Sequence, residues 1–449
     1  MFYTVNSAIS SFIWGPPMLA VFLGTGLFLS AKSGFYQIFG IRDWLDSTIV
    51  SAFLNRKEKS KSDGTVSQLG ALTSALAACL GTGNIVGVAA ALCSGGPGSL
   101  FWMCISAILG MMTCCCENIL GVKYRKKDEN GIFKGGPMYY IEYGLGMKGL
   151  ACVYAVFLTG ASLGMGNMTQ ANSVAGGLRG FGVPPAVTGI FLAVLVAISI
   201  SGGLRRISAV SEKLIPVLSA AFVLACLIII GKNAENIIPC LKSVIKEAFT
   251  IRSLSGFGMA KAVRYGVSRG VFSNEAGLGS SAVIHAAAEC KNPAEQGKWG
   301  IIEVLIDTVV MCTVTGAAIL TSGVGITDTP LNGMELCTAV FESVFGKAGG
   351  YFLNICICLF AFATLIAWSY YGKSGAEYLL GKKVGKVYNV IYIAAAFTGC
   401  VVKFEGVWSI SDTLNGLMAV PNIFALFILS KEAVALLREN SDRLHRRRI

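Results

Sequence analysis

The feature that most limits what this chain can become is a series of apolar blocks, each about 20 residues long, repeated from end to end. A helix of that length crosses the hydrocarbon core of a bilayer. In that solvent a segment must satisfy its own backbone hydrogen bonds. The chain therefore reads as an all-α integral membrane protein. Only 14% of its 449 residues are charged, against roughly a quarter in a soluble domain. No polar stretch is long enough for a separate water-soluble domain, which argues against a soluble enzyme on an anchor.

About eleven transmembrane helices are expected, each built on such a block. They are residues 14–30, 67–93, 98–121, 149–177, 184–202, 212–231, 256–288, 299–322, 349–371, 387–402 and 407–430. No basic region precedes the first, so it reads as a retained helix rather than a cleaved signal. Residues 33–55 carry Phe35, Ile38, Ile41, Trp44, Leu45, Ile49 and Phe53 at helical spacing, the pattern of an interfacial helix. The whole chain, 1–449, reads as a single membrane domain, and 431–449 as a basic tail.

The net charge of +12 could suggest nucleic acid as a partner. The charges are instead scattered through short loops, with no basic face. Arg56-Lys57, Arg125-Lys126-Lys127, Arg205-Arg206, Lys382-Lys383 and Arg446-Arg447-Arg448 all fall on one side if the N-terminus is outside and the C-terminus cytoplasmic. That is the positive-inside arrangement of a multi-pass protein of the cell membrane. The 232–252 stretch is the main exception and reads as an outer loop with a short helix. The 15 cysteines lie mostly inside apolar blocks and lack paired zinc spacing, so they read as small hydrophobes.

Two spans are interrupted. One carries Gly81-Thr82-Gly83-Asn84 at its middle, and the other Gly270 through Ser281 with Asn274, Glu275, Gly277 and Gly279. Glycine weakens a helix by up to about 1 kcal/mol relative to alanine. Clustered with polar residues at bilayer depth, it predicts unwound backbone that lines a cavity. With the first span set aside, the breaks open the two halves of a five-plus-five arrangement, 67–231 and 256–430. Halves with an odd number of spans are inverted, and paired breaks in inverted halves mark a carrier's central site. One side of a break offers free N–H groups to a carboxylate; the other offers carbonyls to an ammonium group or a cation. A zwitterionic amino acid matches both.

Leu80-Gly-Thr-Gly-Asn-Ile-Val-Gly-Val-Ala90, Gly135-Gly-Pro-Met-Tyr-Tyr140, Arg269-Gly-Val-Phe-Ser-Asn-Glu-Ala-Gly-Leu-Gly279, Trp368-Ser-Tyr-Tyr-Gly372 and Asn415-Gly-Leu-Met-Ala-Val-Pro-Asn422 resemble the alanine/glycine:cation symporters, over nearly the whole chain. That family belongs to the amino acid–polyamine–organocation superfamily. The resemblance implies a LeuT-type inverted-repeat fold with an extra N-terminal helix. It also implies import of alanine or glycine with Na+, or H+ in some members. It further implies a substrate site at Thr82, Gly83, Asn84, Gln170, Phe272, Thr364 and Trp368. A first Na+ site would use Ala77, Leu80, Phe360 and Thr364, and a second cation site Asn84, Ser273 and Asp307.

Asp307 lies mid-span, where a central Asp costs about 2.5–3.5 kcal/mol on a translocon scale. Two readings are open: a cation or proton site, or an ion pair with Arg264 or Arg269. Glu275 reads as structural, in a pair or a helix-end bond, and His285 likewise. An intramembrane enzyme needs a nucleophile with a base, or a metal cluster, and neither is legible. Nothing resembles a channel's selectivity filter.

Overall fold

The computed structural model describes residues 2–54, 66–129, 131–251, 258–325, 333–402 and 405–446. Of the residues discussed above, Arg56, Lys57, Arg447 and Arg448 lie outside these ranges, as does the last residue of the 232–252 stretch. Among the described residues the secondary structure is helical, apart from a small hairpin pairing Lys126–Lys127 with Phe133–Lys134 and an isolated bridge between Val66 and Ala288. Among the described residues, eight helical stretches are long and apolar enough to cross a membrane by length and composition. They are Thr4–Lys32, Gly98–Lys123, Lys148–Arg179, Gly203–Lys232, Pro293–Thr321, Lys347–Leu380, Val384–Val401 and Ser409–Asp442. Gln68–Cys79, Val86–Gly95 and Pro185–Ser201 are shorter apolar helices.

Polarity is distributed as a lipid solvent requires. Ile190, Val217 and Val390 are more than half exposed, whereas Asn84, Glu117, Glu303 and Asp307 are buried. A polar side chain facing hydrocarbon would lack partners, so these groups turn inward to partners within the bundle.

Several elements differ from the sequence reading. The first span begins at Phe2, bends at Trp14-Gly15 and continues as Pro16–Lys32. In the half that precedes the expected span, Asn6 donates to Ser409 Oγ at 2.7 Å. The interfacial stretch is one helical turn, Tyr36–Phe39, followed after Gly40 by a continuous helix made of Ile41–Leu45, a π-helical stretch Asp46–Val50 and Ser51–Leu54. Gly203–Lys232 starts before residue 212 and takes in Arg205 and Arg206. The last helix, Ala419–Arg446, runs on through most of the segment read as a tail. A helix at Gly333–Phe345 had no counterpart in the sequence reading; it buries Leu336, Cys337, Val340 and Phe341 on one face. The short helix expected in 232–252 is present as Ile237–Phe249.

Two long helices position the site. Gly98–Lys123 packs against Met259–Asn274, Ser281–His285 and Pro293–Val304. Lys347–Leu380 packs against Lys148–Leu163, Thr169–Arg179 and Gln68–Cys79. Both interrupted helices are thus held inside the bundle, where unwound backbone can find partners.

Candidate functional site

The first break follows from local backbone chemistry. Ser67 caps Gln68–Cys79, its hydroxyl accepting from Gly70 N at 2.9 Å. The helix stops where Leu80 leaves helical geometry and Gly81 becomes extended. Thr82–Asn84 forms one tight turn, and Val86–Gly95 resumes the span. A helix end leaves carbonyls without partners within the helix, and a helix start leaves N–H groups. Thr364 Oγ1 meets the carbonyls of Ala77 at 3.0 Å and Leu80 at 3.5 Å. Glycine is required at 81 by crowding: a Cβ there would lie 2.8 Å from Thr364 Oγ1 and 3.5 Å from Gln170 Oε1.

The second break separates Met259–Asn274 from Ser281–His285. Glu275, Gly277 and Gly279 all have positive φ, of 56°, 95° and 77°. Glycine adopts that region freely; for Glu275 it is costly, so its surroundings must compensate. Ser280 donates to the Glu275 carboxylate, and Glu275 N donates to Val271 O at 2.9 Å. The indole N–H of Trp368 faces the same carboxylate without normal hydrogen-bond geometry. The helix-end role expected of Glu275 is what its contacts describe.

Asp307 joins the two breaks. Its Oδ1 accepts from Asn84 Nδ2 at 2.8 Å, and its Oδ2 from Ser273 Oγ at 2.8 Å and Thr308 Oγ1 at 2.7 Å. Asn84 Nδ2 also reaches the Asp307 carbonyl at 2.9 Å. Among the described residues no ion pair includes Asp307, so Arg264 and Arg269 do not neutralise it. Among the described residues, the buried acceptors Asn84 Oδ1 and Gln170 Oε1 have no hydrogen-bond partner. Uncompensated buried acceptors cost about 1–3 kcal/mol each, so either oxygen could hold a donor or a cation.

The walls are aromatic. The Phe272 ring lies 3.9 Å from where a Cβ on Gly83 would stand, so it faces the first break. Trp368 is fully buried four residues beyond Thr364, on the same helix face. A Cβ at Gly166 would be 2.4 Å from its indole, so backbone at Gly166 presses on that ring. Gly166 belongs to a π-helical turn, Gly164–Met168, and Asp307 to another, Leu305–Cys312. Such bulges re-aim side chains and are frequent at functional sites. Phe360, one turn before Thr364, turns its ring to Phe222 at 6.2 Å.

The family model described as "Sodium:alanine symporter family" matches residues 1–448. This chain belongs to that family. A relative named "Sodium/alanine symporter AgcS", from Methanococcus maripaludis, is 40% identical, the match covering 97% of this chain and 96% of the relative. "Amino-acid carrier protein AlsT" of Bacillus subtilis is 33% identical over 96% of this chain and 90% of its own length. This member of the sodium:alanine symporter family is thus a multi-pass, cation-coupled amino-acid transporter and not an enzyme.

In this symporter, distant residues that the sequence reading did not single out hold the second break. Glu117 Oε1 accepts from Gly277 N at 2.9 Å and from Asn422 Nδ2 at 2.5 Å. Asn422 Nδ2 also donates to Gly277 O at 2.9 Å, and Tyr154 to Leu278 O at 2.9 Å. Tyr140 donates to Asn422 Oδ1. The available signal was Glu117 itself, a carboxylate in the middle of an apolar block. Below the break, Glu303 Oε2 accepts from Ser281 Oγ at 2.6 Å and contacts His285 Nε2 at 3.0 Å; Gln296 bonds the other ring nitrogen. That network ties the second half of the broken helix to Pro293–Val304 and gives His285 a structural setting.

Proposed function

We propose that this symporter imports alanine or glycine together with Na+ by alternating access, with the N-terminus outside and the C-terminus cytoplasmic. The supporting observation is the meeting of the two breaks: Asn84, Ser273 and Asp307 in one bonded group, beside the unpartnered oxygens of Asn84 and Gln170. The substrate carboxylate binds backbone N–H groups around Thr82, Gly83 and Asn84, at the positive end of Val86–Gly95. Gln170 approaches from its own helix. Phe272 and Trp368 confine the side chain, and two large rings favour a methyl group or hydrogen.

The donor chemistry suits Na+, a hard cation that takes oxygen ligands. Thr364 with the carbonyls of Ala77, Leu80 and Phe360 would hold one ion. Asn84 Oδ1, Ser273 and Asp307 would hold a second, the carboxylate supplying the compensating charge. In this reading 67–231 and 256–430 are the inverted halves that rock around the site.

Uptake of radiolabelled alanine into proteoliposomes tests the proposal. An inward Na+ gradient should drive accumulation, and unlabelled glycine should compete. Accumulation that ignores Na+ and follows a pH gradient would replace Na+ with H+. Competition by glutamine but not by glycine would overturn the assignment of solute.

A further inference from the structure

The N-terminal helix pair lies outside the five-plus-five arrangement, yet it reaches the second break. Phe2–Ile13 and Pro16–Lys32 meet at Trp14-Gly15, where Pro16 and Pro17 open the second helix and cannot donate N–H groups to the first. The bend turns Trp14 inward, leaving it 9% exposed. Its indole stacks on Phe22 at 6.3 Å between centroids, and its Nε1 donates to Asp412 O at 3.3 Å. It also meets Phe272 edge-on, with centroids 6.1 Å apart and planes at 61°.

The neighbouring contacts leave little slack. Gly416 accommodates the bend, since a Cβ there would be 2.2 Å from Ile13 Cγ2 and 3.2 Å from the Trp14 ring. Phe22 lies against the break itself, 2.9 Å from where a Cβ on Gly277 would stand. The Phe272 ring has the Gly83 turn within 3.9 Å of a Cβ position there, and the Arg269 guanidinium 5.6 Å from its centroid. Trp14 is a further contact on that ring, fixed by a stack and a hydrogen bond.

We infer that Trp14 is a positioning residue for Phe272, so the N-terminal helix helps set the upper size of the amino acid the pocket accepts. Phenylalanine has two side-chain torsions, and the half-buried Phe272 ring can retreat on its packed flank only where the neighbour there leaves room. Trp14 occupies that room. A substrate with a larger neutral side chain, such as leucine, would have to displace Phe272 against an indole that cannot yield without losing both anchors. Removing the indole frees the ring to retreat and admits the larger side chain. This inference rests on the reading of Phe272 as a pocket wall.

The test compares full-length Trp14→Ala, Trp14→Leu, Trp14→Phe and Phe272→Ala in proteoliposomes, measuring kcat/KM for alanine and for leucine. An edge-to-face contact has the strength for a roughly 3- to 10-fold change in relative rate, so Trp14→Ala and Trp14→Leu should raise the leucine-to-alanine ratio by about that factor. Trp14→Phe keeps a ring in place and should hold the ratio near wild type. A purely structural Trp14 would lower melting temperature and rate while leaving the ratio unchanged. An unchanged ratio in both Trp14→Leu and Trp14→Ala overturns the inference; Trp14→Leu retains bulk and serves if the alanine variant does not fold. Phe272→Ala separates the two levels of the argument. If it raises the ratio while the Trp14 variants do not, only the role of Trp14 fails. If it leaves the ratio unchanged, the pocket reading fails and this inference with it.

Discussion

Gly81→Ala probes the contact between the first break and Thr364. The added methyl would stand 2.8 Å from Thr364 Oγ1 and 3.5 Å from Gln170 Oε1, closer to the hydroxyl than van der Waals contact allows. Thr364 cannot swing aside without giving up the Ala77 and Leu80 carbonyls, which it meets at 3.0 and 3.5 Å. Overpacking of this kind costs about 1–3 kcal/mol. If that distortion falls on the bound state, alanine and Na+ affinity drop by roughly 5- to 150-fold. Calorimetric titration of alanine at fixed Na+, and of Na+ at fixed alanine, reads both. Thr364→Ala lowers affinity by removing the hydroxyl, but it also removes the clash. The double variant should therefore bind no worse than Thr364→Ala alone, a non-additivity expected of residues in contact. Additive losses, or wild-type affinity in Gly81→Ala, would refute the argument that Thr364 and the first break form one ion-binding unit.

Asn84→Ala removes the donor bonded to Asp307 at 2.8 Å and the unpartnered Oδ1 beside it. A hydrogen bond to a charged group is worth about 1.5–3 kcal/mol, so alanine affinity measured by titration should fall by roughly 10- to 150-fold. Glu117→Ala leaves Gly277 N and Asn422 Nδ2 without their shared acceptor. That costs about 1–3 kcal/mol for each unsatisfied group and should lower the melting temperature in detergent more than Glu117→Gln does. Lys298 is fully buried and bonds Asp43 at 3.0 Å, tying the interfacial stretch to Pro293–Val304. Lys298→Met should destabilise the protein by leaving that carboxylate unpaired, and adding Asp43→Asn should recover part of the loss in the same melting assay.

The breaks were legible because their cause is local. Gly81-Thr-Gly-Asn84 and the run from Gly270 to Ser281 carry residues that disfavour helix at bilayer depth, and both spans are interrupted there. Asp307 was legible as a residue needing compensation, but not its partners. An ion pair with Arg264 or Arg269 stood open from sequence, and the structure supplies neutral donors from three helical segments instead. The clamp on the second break was hidden for a different reason. Glu117 and Asn422 are 305 residues apart, and pattern along the chain does not report such pairs. The bend at Trp14-Gly15 shows a third limit. Asn6, Ser7, Ser10 and Ser11 lie before the apolar block at 14–30, and pattern along the chain does not show that Asn6 has a partner at Ser409.

The central claim is that the two breaks form one site where amino acid and Na+ bind together. Titration of L-alanine into the purified protein, with Na+ and with an inert cation in its place, tests it most directly. The account predicts saturable alanine binding in Na+ that weakens strongly without it, and by linkage Na+ binding tightened by alanine to the same degree. Equal alanine affinity in both solutions, or no alanine binding in either, would contradict it.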